Sequence, residues 1–444
     1  MSRIRAFRPR LFLLVPQGAA PRLRRHIGTP PRGRIAMPFG KIQRNPEAPP
    51  AGPRPRSGQD IDREAAERLD EIRQYFKDLY AGRDVVTRTT TPSGQELDWV
   101  PLESQTVGVI AEQPPLEPVV APPDPSRVGY HVPFELVNAP ESTGPPGTVP
   151  LVRKPLDRIT PAGDLQDYLA KGIRAKRITP PDDPGTAPPA AADAVHKYAH
   201  AYQVVPNFGT EGFINTWRPF VQWSNEFSLG QLWVVNGSGS GLQTVEVGAQ
   251  TYFDIYGDWN PHLFIFYTTN GYTQGGDNLG GYNRDVAGWI QNSSVAFPGM
   301  RVSESILNGD QYDLFLKVTL FQGNWWVQVG NEWMGYYPAS LYNAAGLQNQ
   351  AATADWGGEI VDDTVNHPEP TSTWMGSGHF PAEGWQHAAY MRNLAHQIDA
   401  NGTMTALQGF PSATNLKAYQ ITADFSGKSS WGSNFFWGGP GGVA

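Results

Sequence analysis

The chain has no cysteine, which excludes disulfides, thiolate metal sites and cysteine nucleophiles. It also lacks any run of roughly 18 apolar residues, the length a membrane-spanning helix needs, so no membrane role is expected. A positive balance is missing as well. The net charge of −7 argues against nucleic-acid binding. The exception is residues 1–44, with eleven Arg or Lys and no acid. Such a run reads as an export-type or upstream-translated segment. LFLLV at 11–15 is nevertheless shorter than a signal-peptide core, Arg24-Arg25 lacks the apolar run of a twin-arginine signal, and Met37 is an alternative start.

What is present is divided unevenly. Of 41 prolines, 31 fall in residues 1–195, whereas 13 of 14 tryptophans fall in 196–444. Proline-rich sequence with few apolar runs cannot build a large core. About 250 aromatic-rich residues can. The expected organisation has four parts. Residues 1–59 form a basic, Pro-rich segment, residues 60–112 a small helper, 113–195 a Pro-rich linker, and 196–444 the main domain.

In DIDREAAERLDEIRQYFKDLYAG, residues Ala65, Leu69, Ile72, Phe76 and Leu79 make one helical stripe, with Asp60 and Gly82 as end signals. VVTRTTTPSGQELDWV reads as a hairpin around Pro92-Ser93-Gly94. About 45 residues of helix and hairpin are too few to stand alone, so they must pack on something larger. Within the linker, DLQDYLAKGI is short and amphipathic, suited to local docking. From His196 the pattern is strands: EFSLGQLWVV, QYDLFLKVTLF, NWWVQVG and YFDIYG, with Asn-Gly turns at 236–237, 270–271, 308–309 and 401–402. Helical periodicity almost vanishes. The predicted fold is an all-β antiparallel sandwich, jelly-roll-like.

Few motifs carry chemistry. HKYAH at 196–200 has the histidine spacing of a zinc-protease helix, but Lys197 stands where the glutamate belongs. It reads as a junction between linker and domain. The other histidines are scattered, so neither a metal nor a cofactor is expected. NGSGSGLQ and GGDNLGGYNRD are hairpin or loop sequences without the context of a serine elbow or a phosphate loop.

Eight glutamates remain in the strand-rich part, and two have unusual settings. In TVEVGAQTY, Glu246 shares a strand face with Gly248. In ADWGGEIVDD, Glu359 shares a face with Gly357, and Gly358 lies on the other. Glycine weakens a strand and marks close approach of another backbone. A substrate peptide crossing the sheet is one candidate for that backbone. Solvent-facing glutamates beside ordinary bulges are the other.

Several blocks resemble the neprosin family of glutamic peptidases. They are EFSLGQLWVVNGSGSGLQTVEVGAQTYFDIYGDWNPHLFIFYTTNGY, QYDLFLKVTLFQGNWWVQVGNEWMGYYP, ADWGGEIV, MGSGHFPAEGWQHAAYMRN and WGSNFFWGGPGG, in the family's order through nearly all of 203–441. The N-terminal helix and TTTPSGQELDWVPLE resemble its activation segment more loosely, and GTVPLVRK resembles the piece that follows that segment. The resemblance implies a sandwich with a concave substrate cleft and catalytic glutamates at Glu246 and Glu359. It further implies acid-active endopeptidase cleavage after proline, a proline-bearing peptide substrate, and secretion as a proenzyme that its own N-terminal segment inhibits. The absence of cysteine departs from plant members and suggests a microbial relative.

Two carboxylates facing each other repel, so the pair is expected to hold one proton, with one member acting as base and the other as acid. Gln250 and Gln328 are candidate amide donors to an oxyanion. Two rival functions share the composition: a non-catalytic carbohydrate- or surface-binding sandwich with Trp325 or Trp326 as an exposed platform, and a two-carboxylate glycosidase.

Overall fold

In the computed structural model, the described residues are 59–119, 134–158, 163–172, 196–364 and 366–442. The basic segment 1–58 and the Pro-rich stretch 173–195 lie outside them, as do the expectations that fall there. Among the described residues no helix is long and apolar enough to cross a membrane.

Two antiparallel sheets form the sandwich. The first has seven strands in the order β17-β4-β14-β6-β7-β8-β9. These are β4 (His196–Asn207), β6 (Ser228–Asn236), β7 (Gln243–Thr251), β8 (His262–Thr268), β9 (Gly280–Tyr282), β14 (Ala351–Val361) and β17 (Phe410–Ala413). The second has nine: β5 (Gly209–Asn215), β10 (Ile290–Gln291), β11 (Asp313–Phe321), β12 (Asn324–Val329), β13 (Glu332–Pro338), β15 (Ala389–Gln397), β16 (Met404–Ala406), β18 (Gln420–Asp424) and β19 (Asn434–Gly438). The sheets meet over Ala199, Ala201, Leu232, Val234, Val245, Val247, Trp356, Ile360 and Trp437, all buried. The seven-stranded sheet is covered on both faces at its centre, so β6, β7 and β14 are buried along almost their whole length.

Strand period 2 puts the odd residues of β14 and the even residues of β7 on one face. The register brings Glu246 opposite Trp233, Gly248 opposite Gln231, and Glu359 opposite Leu229 on one side and Tyr198 on the other. β6 thus lies between the two glutamate-bearing strands.

The N-terminal part builds a small layer against this sheet. Helix α1 (Gln59–Tyr80) presents Ile72 and Phe76, both buried. β1 (Thr87–Thr90) and β2 (Glu96–Pro101) form the expected hairpin, and β3 (Thr148–Val152) pairs with β2. The expected spacer therefore supplies structure: a lone two-stranded ribbon is marginal in water, and its third strand comes from beyond residue 112. A short helix, α2 (Leu165–Leu169), is closed by a capping box between Asp164 and Asp167.

Three local readings change. YFDIYG is not a strand. Phe253–Tyr256 forms a helical turn, α3, ended by Gly257 in the left-handed conformation (φ 70°). HKYAH, at the expected boundary between linker and domain, is itself strand, the start of β4. Trp325 and Trp326 are no platform, since both are 0% exposed: Trp325 donates to the Leu347 carbonyl, and Trp326 packs on Trp333 and Tyr336.

Candidate active site

The end of α2 and the residues just past it pack into the glutamate-bearing face of the seven-stranded sheet. Tyr168, Leu169, Ala170, Lys171 and Gly172 are all buried there. Gly172 adopts φ +77°, and a Cβ on it would meet Val361 Cγ2 at 2.7 Å and Phe227 Cε1 at 3.0 Å. The chain therefore bends at this point instead of lying extended across the strands. The Lys171 side chain, not a peptide bond, enters the sheet's centre.

Its ammonium Nζ stands 2.5 Å from Glu246 Oε2 and 2.6 Å from Glu359 Oε2. Those two oxygens are therefore no more than about 5 Å apart. Lys171 is 5% exposed and both glutamates are 0% exposed. Nζ also contacts Gln231 Oε1 at 3.4 Å, while Gln231 Nε2 donates to Glu359 Oε2 at 3.1 Å. The amide orientation follows from its neighbours, because only the NH₂ end can face a carboxylate and only the oxygen can face an ammonium.

The glutamates differ in their remaining partners. Glu359 Oε1 accepts from Tyr198 Oη (3.2 Å) and lies 2.6 Å from His196 Nδ1. Glu246 Oε1 accepts from two hydroxyls, Thr244 Oγ1 (2.9 Å) and Tyr272 Oη (2.8 Å). Burial pushes the Glu359 carboxyl up, but Lys171 and His196 outweigh it and hold the group at about 2. Burial would lower the Lys171 ammonium, yet the two carboxylates raise it above its ordinary value. Burial and the adjoining carboxylates keep the Tyr198 and Tyr272 phenols protonated. A lysine, rather than a shared proton, thus occupies the space between the two acids.

The structure brings Glu246 and Glu359 together, but not for the reason their glycines suggested. A Cβ on Gly248 would sit 2.1 Å from the Gly230 carbonyl of β6, and one on Gly357 would sit 2.3 Å from His200 Cβ of β4. A Cβ on Gly358 would enter the Trp437 ring at 2.0 Å. The approaching groups belong to neighbouring strands and the opposite sheet, leaving no gap for a substrate at these glycines.

Gln250 and Gln328 do not reach the pair. Gln250 bonds Tyr282 and Tyr256, and Gln328 bonds the Gly330 carbonyl on the other sheet. Gln231 and Tyr272 lay in no stretch singled out for chemistry, while Lys171 lay in DLQDYLAKGI, read as a docking stretch, and His196 and Tyr198 in HKYAH, read as a junction. Register alone could have flagged Gln231, one strand from each glutamate. Among the described residues no group of three His, Asp or Glu side chains is arranged to hold a metal.

Residues 224–440 match the Neprosin family model. That match supports a peptidase of the glutamic type. Its sandwich is a neprosin-family domain. Among solved structures the chain is similar to a scytalido-glutamic peptidase bound to a transition state analog inhibitor, at 11% identity over 54% of this chain and 97% of that one, with a TM-score of 0.32. It is also similar to SCP-B, an Eqolisin-family peptidase in complex with the tripeptide Ala-Ile-His (11% identity, 54% and 96% covered, TM-score 0.28). A third likeness is to CG-16, a homodimeric agglutinin from chicken liver (11% identity, 35% and 87% covered, TM-score 0.19). The family match and the site geometry carry the functional reading; the structural likenesses, with TM-scores this low, do not.

Proposed function

We propose that the chain is the precursor of an acid-active endopeptidase in which Glu246 and Glu359 hydrolyse peptide bonds, and that Lys171 keeps it latent. One observation carries the reading: a buried ammonium from a distant segment bridges both carboxylates at ion-pair distance. Two charges this close and this buried need a counter-ion or a proton. When Lys171 withdraws, the pair takes up one proton.

The hydrogen bonds favour a division of roles. Glu359, facing Tyr198, Gln231 and His196, stays ionised and takes a proton from the attacking water. Glu246, supported only by hydroxyls, carries the proton and polarises the scissile carbonyl. Water oxygen bonds to the carbonyl carbon, and the carbonyl electron pair moves onto its oxygen. The C–N bond then breaks as the amine takes the proton held by Glu359. Each proton transfer is worth about 10²–10⁴ in rate.

A carboxylate pair at this spacing also suits a retaining glycosidase, but the neprosin domain favours peptide. The burial of Trp325 and Trp326 removes the platform on which a sugar-binding reading rested. Cleavage after proline and secretion rest on the sequence resemblance alone. The test is to incubate full-length Glu246→Gln and Glu359→Gln with casein and with peptides carrying Pro or Ala before the scissile bond, at pH 3–5. Both variants are expected to fold and to be inactive. Peptidase activity in either would overturn the assignment.

A further inference from the structure

We infer that the outward face of the nine-stranded sheet carries a groove for proline-rich extended peptide, which residues 110–119 of this chain occupy in the full-length protein. The site lies across the sandwich from the glutamates and does not depend on the peptidase reading. In β12, Trp325, Val327 and Val329 enter the core between the sheets, so Trp326 and Gln328 face outward. Across the ladder on β13, Tyr336 pairs with Trp326 and Trp333 with Gln328. An outward sheet face is ordinarily polar. Here Trp326, Trp333 and Tyr336 form a buried cluster apart from the main core, with Ile110 and Ala111 packed on it. The chain continues from there as Glu112-Gln113-Pro114-Pro115-Leu116-Glu117-Pro118, with neither helix nor strand. It is tied at both ends: the Ala111 N–H donates to Tyr336 Oη (3.1 Å) and the Val119 N–H to Asn331 Oδ1 (2.8 Å).

Two features make this a seat for proline and not merely a covered apolar face. The segment commits its prolines to the sheet and not its leucine: Pro114 is buried, whereas Leu116 is 45% exposed. Pro114, Pro115 and Pro118 also line a cavity of about 630 Å³ together with Phe213, Phe315 and Trp333 of the sheet. That volume lies within the range of ligand pockets, so there is room beyond the seated segment. The second feature is the indole nitrogens. Nε1 of Trp326 and Nε1 of Trp333 are buried with no acceptor among the described residues. A buried donor without an acceptor is costly. A prolyl residue brings a carbonyl and no N–H. Ring faces and spare donors therefore complement a proline-rich chain, which is already close to polyproline II and loses little freedom on binding.

The test uses the full-length chain at pH 7 and a labelled peptide copying residues 111–119, AEQPPLEPV. A second peptide carries alanine at the three proline positions. In the parent the peptide competes with a tethered copy of itself. A Pro114→Gly/Pro115→Gly/Pro118→Gly variant loosens that copy and is expected to bind the proline peptide about 10²-fold tighter than the parent does. The alanine peptide should bind the loosened variant more weakly than the proline peptide. Adding Trp333→Ala should weaken the proline peptide about tenfold or more. Equal affinity for the two peptides, no binding to the loosened variant, or an affinity untouched by Trp333→Ala overturns the inference. Concentration-dependent dimerisation of the loosened variant in sedimentation, undisturbed by peptide, would make the face a contact between copies and overturn it too. Thermal unfolding reports whether each variant has folded. If the loosened variant has not, hydrogen exchange of the parent decides. Peptide at about millimolar concentration, the effective concentration of a tethered competitor, should speed exchange at the Ala111 and Val119 N–H groups. Unchanged exchange there overturns the inference.

Discussion

Lys171 Nζ stands 2.6 Å from Glu359 Oε2, although 188 residues separate the two along the chain. The contact joins the segment just past α2 to β14 of the seven-stranded sheet. It sets one positive charge between two buried carboxylates.

Removing the ammonium should unlock the precursor. In Lys171→Met the two carboxylates lose their counter-ion, and breaking a buried ion pair in this way costs about 3–5 kcal/mol. The docked segment is expected to release, and peptide cleavage to begin nearer neutral pH than in the parent. Activity and chain mass followed from pH 3 to 7 would show it. A variant as latent as the parent at every pH would contradict the plug.

Falling pH should do the same to the parent. Glu359 is held at about 2 against an ordinary 4.5. A lowered carboxyl stabilises the docked state above 4.5, and that contribution drains away as pH falls toward 2. The shift corresponds to roughly 3 kcal/mol at most, part of which belongs to His196 rather than Lys171. Limited proteolysis of the full chain should accelerate through this window. A rate independent of pH there would exclude Lys171–Glu359 as the acid-sensitive contact.

The sandwich itself should prefer acid, without disulfides. Glu226 is fully buried, accepting from the Asp363 N–H and from the Thr371 and Thr373 hydroxyls. Burial raises it to about 7 despite those donors. A raised carboxyl works in the opposite sense to Glu359: stability is complete below 4.5 and declines as pH rises toward 7. Asp355, raised to about 6 by burial against the pull of His200, adds to the trend. In Glu226→Gln the fall in Tm between pH 4.5 and 7 should flatten, as read by thermal unfolding at several pH values. An unchanged slope would rule out Glu226 as its source.

The glycines should prove structural. Gly248→Ala pushes a methyl onto the Gly230 carbonyl, and Gly358→Ala pushes one into the Trp437 ring. Overpacking of this kind typically costs about 1–3 kcal/mol, so both should lower the denaturant midpoint. Wild-type stability with a change only in KM would instead restore the idea that these glycines make room for substrate.

Much was legible before any coordinates. Period-2 alternation and Asn-Gly turns indicated the all-β sandwich, because one buried face per strand imposes that pattern. The helical stripe of residues 60–82 and the hairpin after it were equally plain. Glu246 and Glu359 stood out by their glycine neighbours and by the family blocks around them. The inference from glycine to substrate gap failed, since a missing side chain reports that something approaches without saying what does.

What the sequence determined by itself was local: strand period, turn positions, the absence of thiol chemistry, and two carboxylates in odd company. Tertiary structure alone decided who meets them. Gln231 faces Glu359 because β6 pairs with β14 in one particular register, His196 and Tyr198 arrive with β4, and Lys171 comes from a segment that docks across the strands. Pairing register and segment docking depend on contacts between residues tens to hundreds of positions apart, and no short-range pattern encodes such contacts.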